Sequence, residues 1–237
     1  MKFCQYYSSS KGNLYTVTAN NGKRLILECG VTWKKLQKAL SYDLTNIEAC
    51  MLTHEHADHS KAVNKVMQAG IDVYTSHGTI EALGISHSRR AIAVDPSICS
   101  RLILDSFDVA FFESNHDAQE PLYCIVRCDN EFLLFCPDTS HIKHKFNVQF
   151  TIIAIECSYD KDILQERVET KDINETLAKR LLTSHMEKQV AMRYIADFCD
   201  LSKCREIHLL HMSGDNLNKK QTRKEFEDNF FIETICS

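Results

Sequence analysis

Histidine and carboxylate side chains crowd one short stretch of this 237-residue chain. In Thr53-His54-Glu55-His56-Ala57-Asp58-His59-Ser60, the side chains of His54, His56, Asp58 and His59 fall within six residues. Imidazole nitrogens and carboxylate oxygens are donors that zinc, manganese or iron accept. A lone histidine reads as an ordinary surface or core residue, whereas this density points to metal chemistry. Single further ligands recur, each just after an apolar run: His116 after 107–113, Asp138 after 132–136 and His211 after 207–210. Strand ends converge in space more readily than helix surfaces do, so distant positions can build one site.

The elements that must position these residues are legible as alternation and as helical spacing. Strands are expected at 2–7, 13–19 and 24–29, with Asn20-Asn21-Gly22 turning between two of them. Thr32 can cap a short helix carrying Trp33, Leu36 and Leu40. The apolar run 47–52 reads as a buried strand delivering the His-rich loop. Ala62, Val63, Val66 and Met67 then share a helix face that Gly70 ends. Further strands are expected at 71–75, 90–94, 107–113, 122–128, 131–136, 151–156 and 206–210, with a short helix at 79–83. Asp172-Ile173-Asn174-Glu175 reads as a capping box ahead of a stripe of Ile173, Leu177 and Leu181, and Asn218 caps a charged helix running to about 229. Ser184-His185-Met186-Glu187 reads as a second capping box, which places His185 in the first turn of a helix. There a histidine could contact phosphate or act as a general acid, since helix N-termini favour anions. A carboxylate such as Glu156 on one ring nitrogen would fix the other for substrate. The order of elements suits an α/β sandwich better than a regular doubly wound sheet.

Composition sets the outer bounds. Hydrophobic residues make up 44% of the chain, enough for a sizeable core, and 7 Gly and 3 Pro leave no visible flexible linker. No apolar run approaches the ~20 residues that span a bilayer. The N-terminus lacks the apolar segment of a signal peptide, so a cytoplasmic protein is expected. Most of the 11 irregularly spaced Cys read as small buried hydrophobes of a reducing compartment. The net charge of −4 argues against a uniformly basic nucleic-acid-binding surface, although basic groups stand at Arg89-Arg90, at 141–145 and at 219–224. His77, His87, His141, His144 and His208 have no ligand-like context.

The stretch from His54 to His59 resembles the His-x-His-x-Asp-His signature of the metallo-β-lactamase superfamily. Ser9-Ser10-Lys11-Gly12-Asn13, Asn115-His116-Asp117-Ala118, Pro137-Asp138-Thr139, Ile155-Glu156-Cys157-Ser158, Ser184-His185 and Leu209-Leu210-His211-Met212-Ser213 follow in the order of its YycJ (WalJ) branch. That branch usually has Gly-His-Leu-Ser where this chain has Ser184-His185-Met186-Glu187, and often His where it has Tyr159. The resemblance implies a single domain over 1–237, a four-layer αββα sandwich of two mixed sheets with outer helices. It implies two divalent metal ions, zinc or manganese. One would be held by His54, His56 and His116, the other by Asp58, His59 and His211, with Asp138 bridging both. Two cations about 3.5–4 Å apart lower the pKa of a shared water and stabilise charge on the attacked group. Asp58, Glu156 and His185 would form the catalytic set.

The activity so implied is that of a phosphodiesterase, a DNA exonuclease whose nucleophile is a hydroxide between the metals. The interval between Asp138 and His185 is too short for the extra domain of larger nucleases in the superfamily. Three other readings use the same residues: hydrolysis of a cyclic or signalling nucleotide, hydrolysis of a thioester or lactone, and metal-dependent binding without catalysis. A basic stripe, a closed base-binding pocket or an apolar tunnel would distinguish the enzymatic three.

Overall fold

The computed structural model describes residues 1–96 and 101–237, so Cys99 lies outside the described residues. The chain divides into two compact units. Met1–Glu113 with Ala118–Glu131 form the first, and Ser114–Asp117 with Phe132–Ser237 form the second.

The strands belong to two mixed sheets with flanking helices, as expected. One sheet is ordered β1-β2-β3-β4-β5-β6 (Lys2–Tyr7, Leu14–Thr18, Arg24–Leu27, Ile47–Met51, Val73–Ser76 and Ala91–Val94). Its first three strands are antiparallel neighbours and its last four run parallel. The Asn20-Asn21-Gly22 turn closes as expected, with the amide of Ala19 donating to Lys23 O at 2.8 Å. The other sheet is ordered β13-β12-β11-β10-β9-β8-β7 (Glu233–Cys236, Glu206–Leu210, Ile152–Glu156, Glu131–Cys136, Leu122–Cys128, Asp108–Glu113 and Arg101–Ile103). Among the described residues, no helix is long and apolar enough to cross a membrane.

In the first unit, α1 (Trp33–Ala39) and α3 (Val63–Gln68) bury Leu36, Val63, Val66 and Met67 with Leu14, Ile26, Cys50, Leu52 and Val73. The spacing of those helical residues is what makes one face of each helix apolar. Cys29, Cys50 and Cys124 are buried as small apolar side chains. The His-rich segment is not wholly loop, because Ala57–Ser60 forms a helical turn, α2, that carries Asp58 and His59.

In the second unit, β10, β11 and β12 run parallel, and their register aligns Cys136 with Ile155 and Glu156 with Leu210. A smaller core joins Tyr159, Leu164, Ile173 and Ala178 beneath α5 (Lys161–Glu169) and α6 (Glu175–Ser184). Asn174, not Asp172, caps α6, accepting from the amide of Thr176 at 2.8 Å. The shifted start rotates the expected stripe, leaving Leu177 exposed while Ala178 and Leu181 face inward. α7 (Lys188–Phe198) is capped by Glu187, whose carboxylate accepts from the amides of Gln189 and Val190. α8 (Lys219–Phe230) starts at Asn218 as expected.

Lys188 ties α7 into this unit. Its ammonium is almost fully buried, 2.5 Å from Asp160 Oδ2 and 2.9 Å from Glu225 Oε2. Partial burial alone would raise both carboxyl pKa values, but the ammonium outweighs it and holds both below the usual range. Their contribution to stability is therefore present above the ordinary carboxylate pKa and is lost as pH falls through the depressed values. Lys188→Met leaves two partly buried carboxylates without their cation. Discounted for the partial exposure of both acids, the expected loss is about 2–3 kcal/mol at neutral pH. It should shrink below about pH 4, where unfolded carboxyls also protonate. Urea titrations at both pH values measure it; an equal loss at both would show that packing, not charge, is responsible.

Candidate metal centre

Most of the expected ligands follow the C-terminal ends of parallel strands, where an open α/β sheet presents its ligand-binding residues, and His116 follows the antiparallel strand β8. In the first unit, β3 and β4 are parallel neighbours pairing Leu27 with Met51. β3 leads directly into Glu28, and β4 leads through Leu52 and Thr53 into His54. His54 and His59 are buried, with ring centroids 4.1 Å apart. His54 Nε2 and His56 Nδ1 lie 3.1 Å apart, and Thr53 Oγ1 is 2.9 Å from His54 Nδ1. The hydroxyl thus sits at the opposite ring nitrogen from His56 and fixes which nitrogen of His54 faces a cation.

Two residues that the sequence did not single out as site residues hold Asp58 and His59. Glu28 is fully buried with φ of 64°, and its Oε2 lies 3.5 Å from His59 Nδ1. Burial pushes the Glu28 carboxyl pKa up, while His59 and Thr53 oppose the rise. Asn13 Nδ2 donates to the Asp58 backbone oxygen at 3.1 Å and to Asp58 Oδ2 at 3.2 Å, and lies 3.0 Å from His59 Nε2. The local motif contained Asn13, but its partners are more than forty positions away in sequence.

The backbone stitches the same elements together. Asn13 N donates to Asp58 O at 2.7 Å, Cys29 N to His59 O at 2.8 Å and Gly30 N to Asn13 O at 2.9 Å. Gly30 packs so closely on this turn that a Cβ there would collide with the Asp58 carbonyl and the His59 amide. Gly30→Ala must therefore displace the backbone that carries two ligands. An expected loss of about 3 kcal/mol, the upper range for overpacking, would appear as a lower denaturation midpoint. An unchanged midpoint would mean that α2 yields freely.

In the second unit, β10, β11 and β12 end beside one another, and Asp138, Glu156 and His211 follow from them. Asp138, Glu156, His185 and His211 each offer a ligand atom within 4.8 Å of the others. His116 Nε2 is 3.6 Å from Asp138 Oδ2, and His211 Nε2 is 3.8 Å from the same oxygen. His116 Nδ1 donates to Ser184 O at 2.7 Å, which leaves Nε2 as the lone-pair nitrogen. Burial lowers the His116 pKa, against Asp138 and the Ser184 carbonyl, and so favours the neutral imidazole that metals require. His211 has φ of 51°. A β-carbon-bearing residue held in the left-handed region is found where surrounding structure enforces it, often at functional sites. The second unit thus carries a cluster of His and carboxylate side chains able to hold a metal ion.

The placement of His185 differs from the expectation. It lies in extended backbone between α6 and α7, not in the first turn of a helix. Ser184 Oγ donates to Arg180 O at 2.7 Å, and Met186 N donates to Glu156 Oε2 at 3.2 Å. Neither group is therefore used to start a helix. His185 Nδ1 instead donates to Glu156 Oε1 at 2.6 Å. Thr139 N also donates to Glu156, at 2.6 Å, so the buried carboxylate is anchored from β11 on several sides. Burial alone would lower the His185 pKa. The Glu156 carboxylate outweighs it by charge and hydrogen bond, Asp138 and Asp117 add to the effect, and the imidazole is pushed up to about 9.

A family model described as the metallo-beta-lactamase superfamily matches residues 10–185. The chain belongs to the metallo-β-lactamase superfamily of hydrolases. It is 23% identical over 236 residues to the exodeoxyribonuclease YycJ of Bacillus anthracis, covering 94% of this chain and 86% of that one. It is also 23% identical to the exodeoxyribonuclease WalJ of Streptococcus pneumoniae, covering 91% of this chain and 82% of that one. The crystal structure of the metallo-β-lactamase fold protein YhfI from Bacillus subtilis superposes with a TM-score of 0.75 at 18% identity, covering 99% and 95% of the two chains. These agree with the expected fold and with the YycJ/WalJ likeness.

Proposed function

We propose that this chain acts as one metallo-β-lactamase domain and is a cytoplasmic, dinuclear metal-dependent phosphodiesterase that hydrolyses DNA as an exonuclease. The observation that carries the reading is the buried Glu156–His185 pair in the second unit, in one cluster with Asp138 and His211. A phosphodiesterase has a use for a buried, carboxylate-held imidazole, because its leaving oxygen must be protonated. Glu156 occupies Nδ1, so Nε2 is the nitrogen left for substrate, and the raised pKa keeps the ring protonated at neutral pH. The buried thiols of Cys29, Cys50, Cys124 and Cys157 accord with a reducing compartment.

The donor set fits divalent zinc or manganese: imidazole and carboxylate, with no thiolate. His54, His56 and His116 would hold one ion and Asp58, His59 and His211 the other, with Asp138 shared. When bound, such ions supply an activated water and neutralise phosphoryl charge. The chain's own residues do the rest. Glu28 and Asn13 orient His59 and Asp58, Ser184 O fixes the His116 tautomer, and His185 gives its Nε2 proton to the departing oxygen while Glu156 stabilises its orientation. The YycJ and WalJ proteins, named as exodeoxyribonucleases, support DNA as the substrate.

The test is a parallel screen with zinc and with manganese on single-stranded DNA, duplex DNA, RNA, cyclic nucleotides and a thioester. Stepwise release of nucleotides from a DNA end is expected. Turnover of the thioester with every phosphodiester left intact would overturn the proposal.

A further inference from the structure

A second feature of the same unit lies outside the ligand cluster. Beyond Pro137-Asp138-Thr139, the chain runs over α7 and leaves a groove of about 330 Å³. Ile142, Val190, Tyr194 and Phe198 give it an apolar floor, and His141, Arg193 and Asp197 complete its lining. The floor is held in place: Tyr194 is buried and donates its hydroxyl to His144 O at 3.0 Å, and Lys145 Nζ sits 4.0 Å above the centre of the Phe198 ring. The groove starts at the ligand loops, since Asn115, next to His116, places Nδ2 3.3 Å from His141 Nδ1.

Exposed cations stand beside this groove, Lys143 and Lys145 on the segment that runs over α7 and Arg193 in its lining. Among the described residues, no carboxylate lies within ion-pair distance of Lys143, Lys145 or Arg193, although Asp197 lines the same groove. In a chain of net charge −4, such exposed cations beside an apolar floor form a local anion-attracting surface. A nucleotide has the matching character, an apolar base and sugar with an anionic phosphate.

We infer that the groove between the 141–145 segment and α7 binds the nucleotide adjoining the scissile phosphate of a single-stranded polynucleotide. The apolar floor takes the base or sugar, and Lys145 and Arg193 take the phosphate. The inference rests on the phosphodiesterase reading and extends it to how the strand is gripped. The groove is of the size of a single ligand, too small for a duplex. An acidic peptide shares the charge, but a groove that begins beside the ligand loops favours the substrate strand.

The test uses the metal-loaded enzyme and a Lys145→Gln/Arg193→Gln variant, on a short oligothymidylate and on bis(p-nitrophenyl) phosphate, over a range of salt. For the oligonucleotide, log kcat/KM should fall with log salt, and the variant's slope should be shallower by about 0.7, the value for one lost phosphate on a single strand. At low salt the variant should be at least about tenfold slower on the oligonucleotide, with turnover of the small diester unchanged. Oligonucleotide cleavage with identical slopes and rates in both proteins overturns the groove and leaves the nuclease reading standing. Turnover of the small diester with the oligonucleotide neither bound nor cleaved overturns both. Competition by polyglutamate as effective as by oligothymidylate assigns the groove to an acidic protein instead.

Discussion

Asp138→Ala is expected to abolish hydrolysis and to empty the metal site while leaving the fold intact. The aspartate is 4% exposed, and its Oδ2 lies within 4 Å of Nε2 of both His116 and His211. On the proposed reading, the two imidazoles and this carboxylate oxygen share a cation, because a buried carboxylate needs a compensating positive charge. The surrounding loop does not depend on this side chain. Ser114 Oγ donates to the Asp138 backbone oxygen at 2.7 Å, Asn115 N to Thr139 Oγ1 at 3.1 Å and Ser140 N to Asn115 O at 2.9 Å. All three bonds survive truncation to Ala. Loss of one electrostatic contact costs roughly 10²–10³ in rate. Loss of a shared ligand removes more than one such contact, so activity should fall by more than about 10³-fold. Elemental analysis of reconstituted protein should give two ions per wild-type chain, fewer than one for Asp138→Ala and one for His59→Ala. Full occupancy in Asp138→Ala would remove Asp138 from the ligand set. A wild type that never exceeds one ion, with His59→Ala unchanged, would end the dinuclear reading.

Much of this arrangement was legible because its signals are local. The His-x-His-x-Asp-His spacing needs no tertiary information, and alternation marks β9 and β10 within a residue of their ends. What stayed hidden depends on partners distant in sequence. Glu28 looks like a charged residue closing a strand, and only the fold brings His59 Nδ1 to it. β7 and β13 are short strands that become strands by pairing, with β8 and with β12. α5 is a polar helix whose buried contribution is Leu164, so it lacks a clear stripe, although its cap Asp160 is a readable start signal. The Ser184–Glu187 pattern misleads for a physical reason. Glu187 serves as the cap itself, because a carboxylate accepts from two amides as readily as a serine accepts from one. That leaves residues 185–186 outside both helices, with the Met186 amide and the His185 ring both directed to Glu156.

His185→Ala is therefore expected to separate catalysis from metal binding. The imidazole stacks on His211 with ring centroids 5.3 Å apart and lies 5.0 Å from the His116 ring, yet its Nδ1 is committed to Glu156. On the proposed reading it serves substrate through Nε2 and is not needed to retain the ions. The variant should keep both metals and its fold while turnover falls by about 10²–10⁴-fold, the range for a lost general acid. Glu156→Gln should lose less, because the imidazole itself remains while the charge that raises its pKa is gone. Its activity should decline at a lower pH than that of the wild type, since a histidine without its carboxylate loses its proton nearer 6.5. Leaving-group dependence isolates the role. A nitrophenyl diester departs without protonation, so His185→Ala should recover most of its rate on that substrate and little on DNA. Loss of a metal in His185→Ala would make the histidine a ligand. Equal defects on both substrates would leave it as a binding contact for phosphate, with protonation of the leaving oxygen assigned elsewhere.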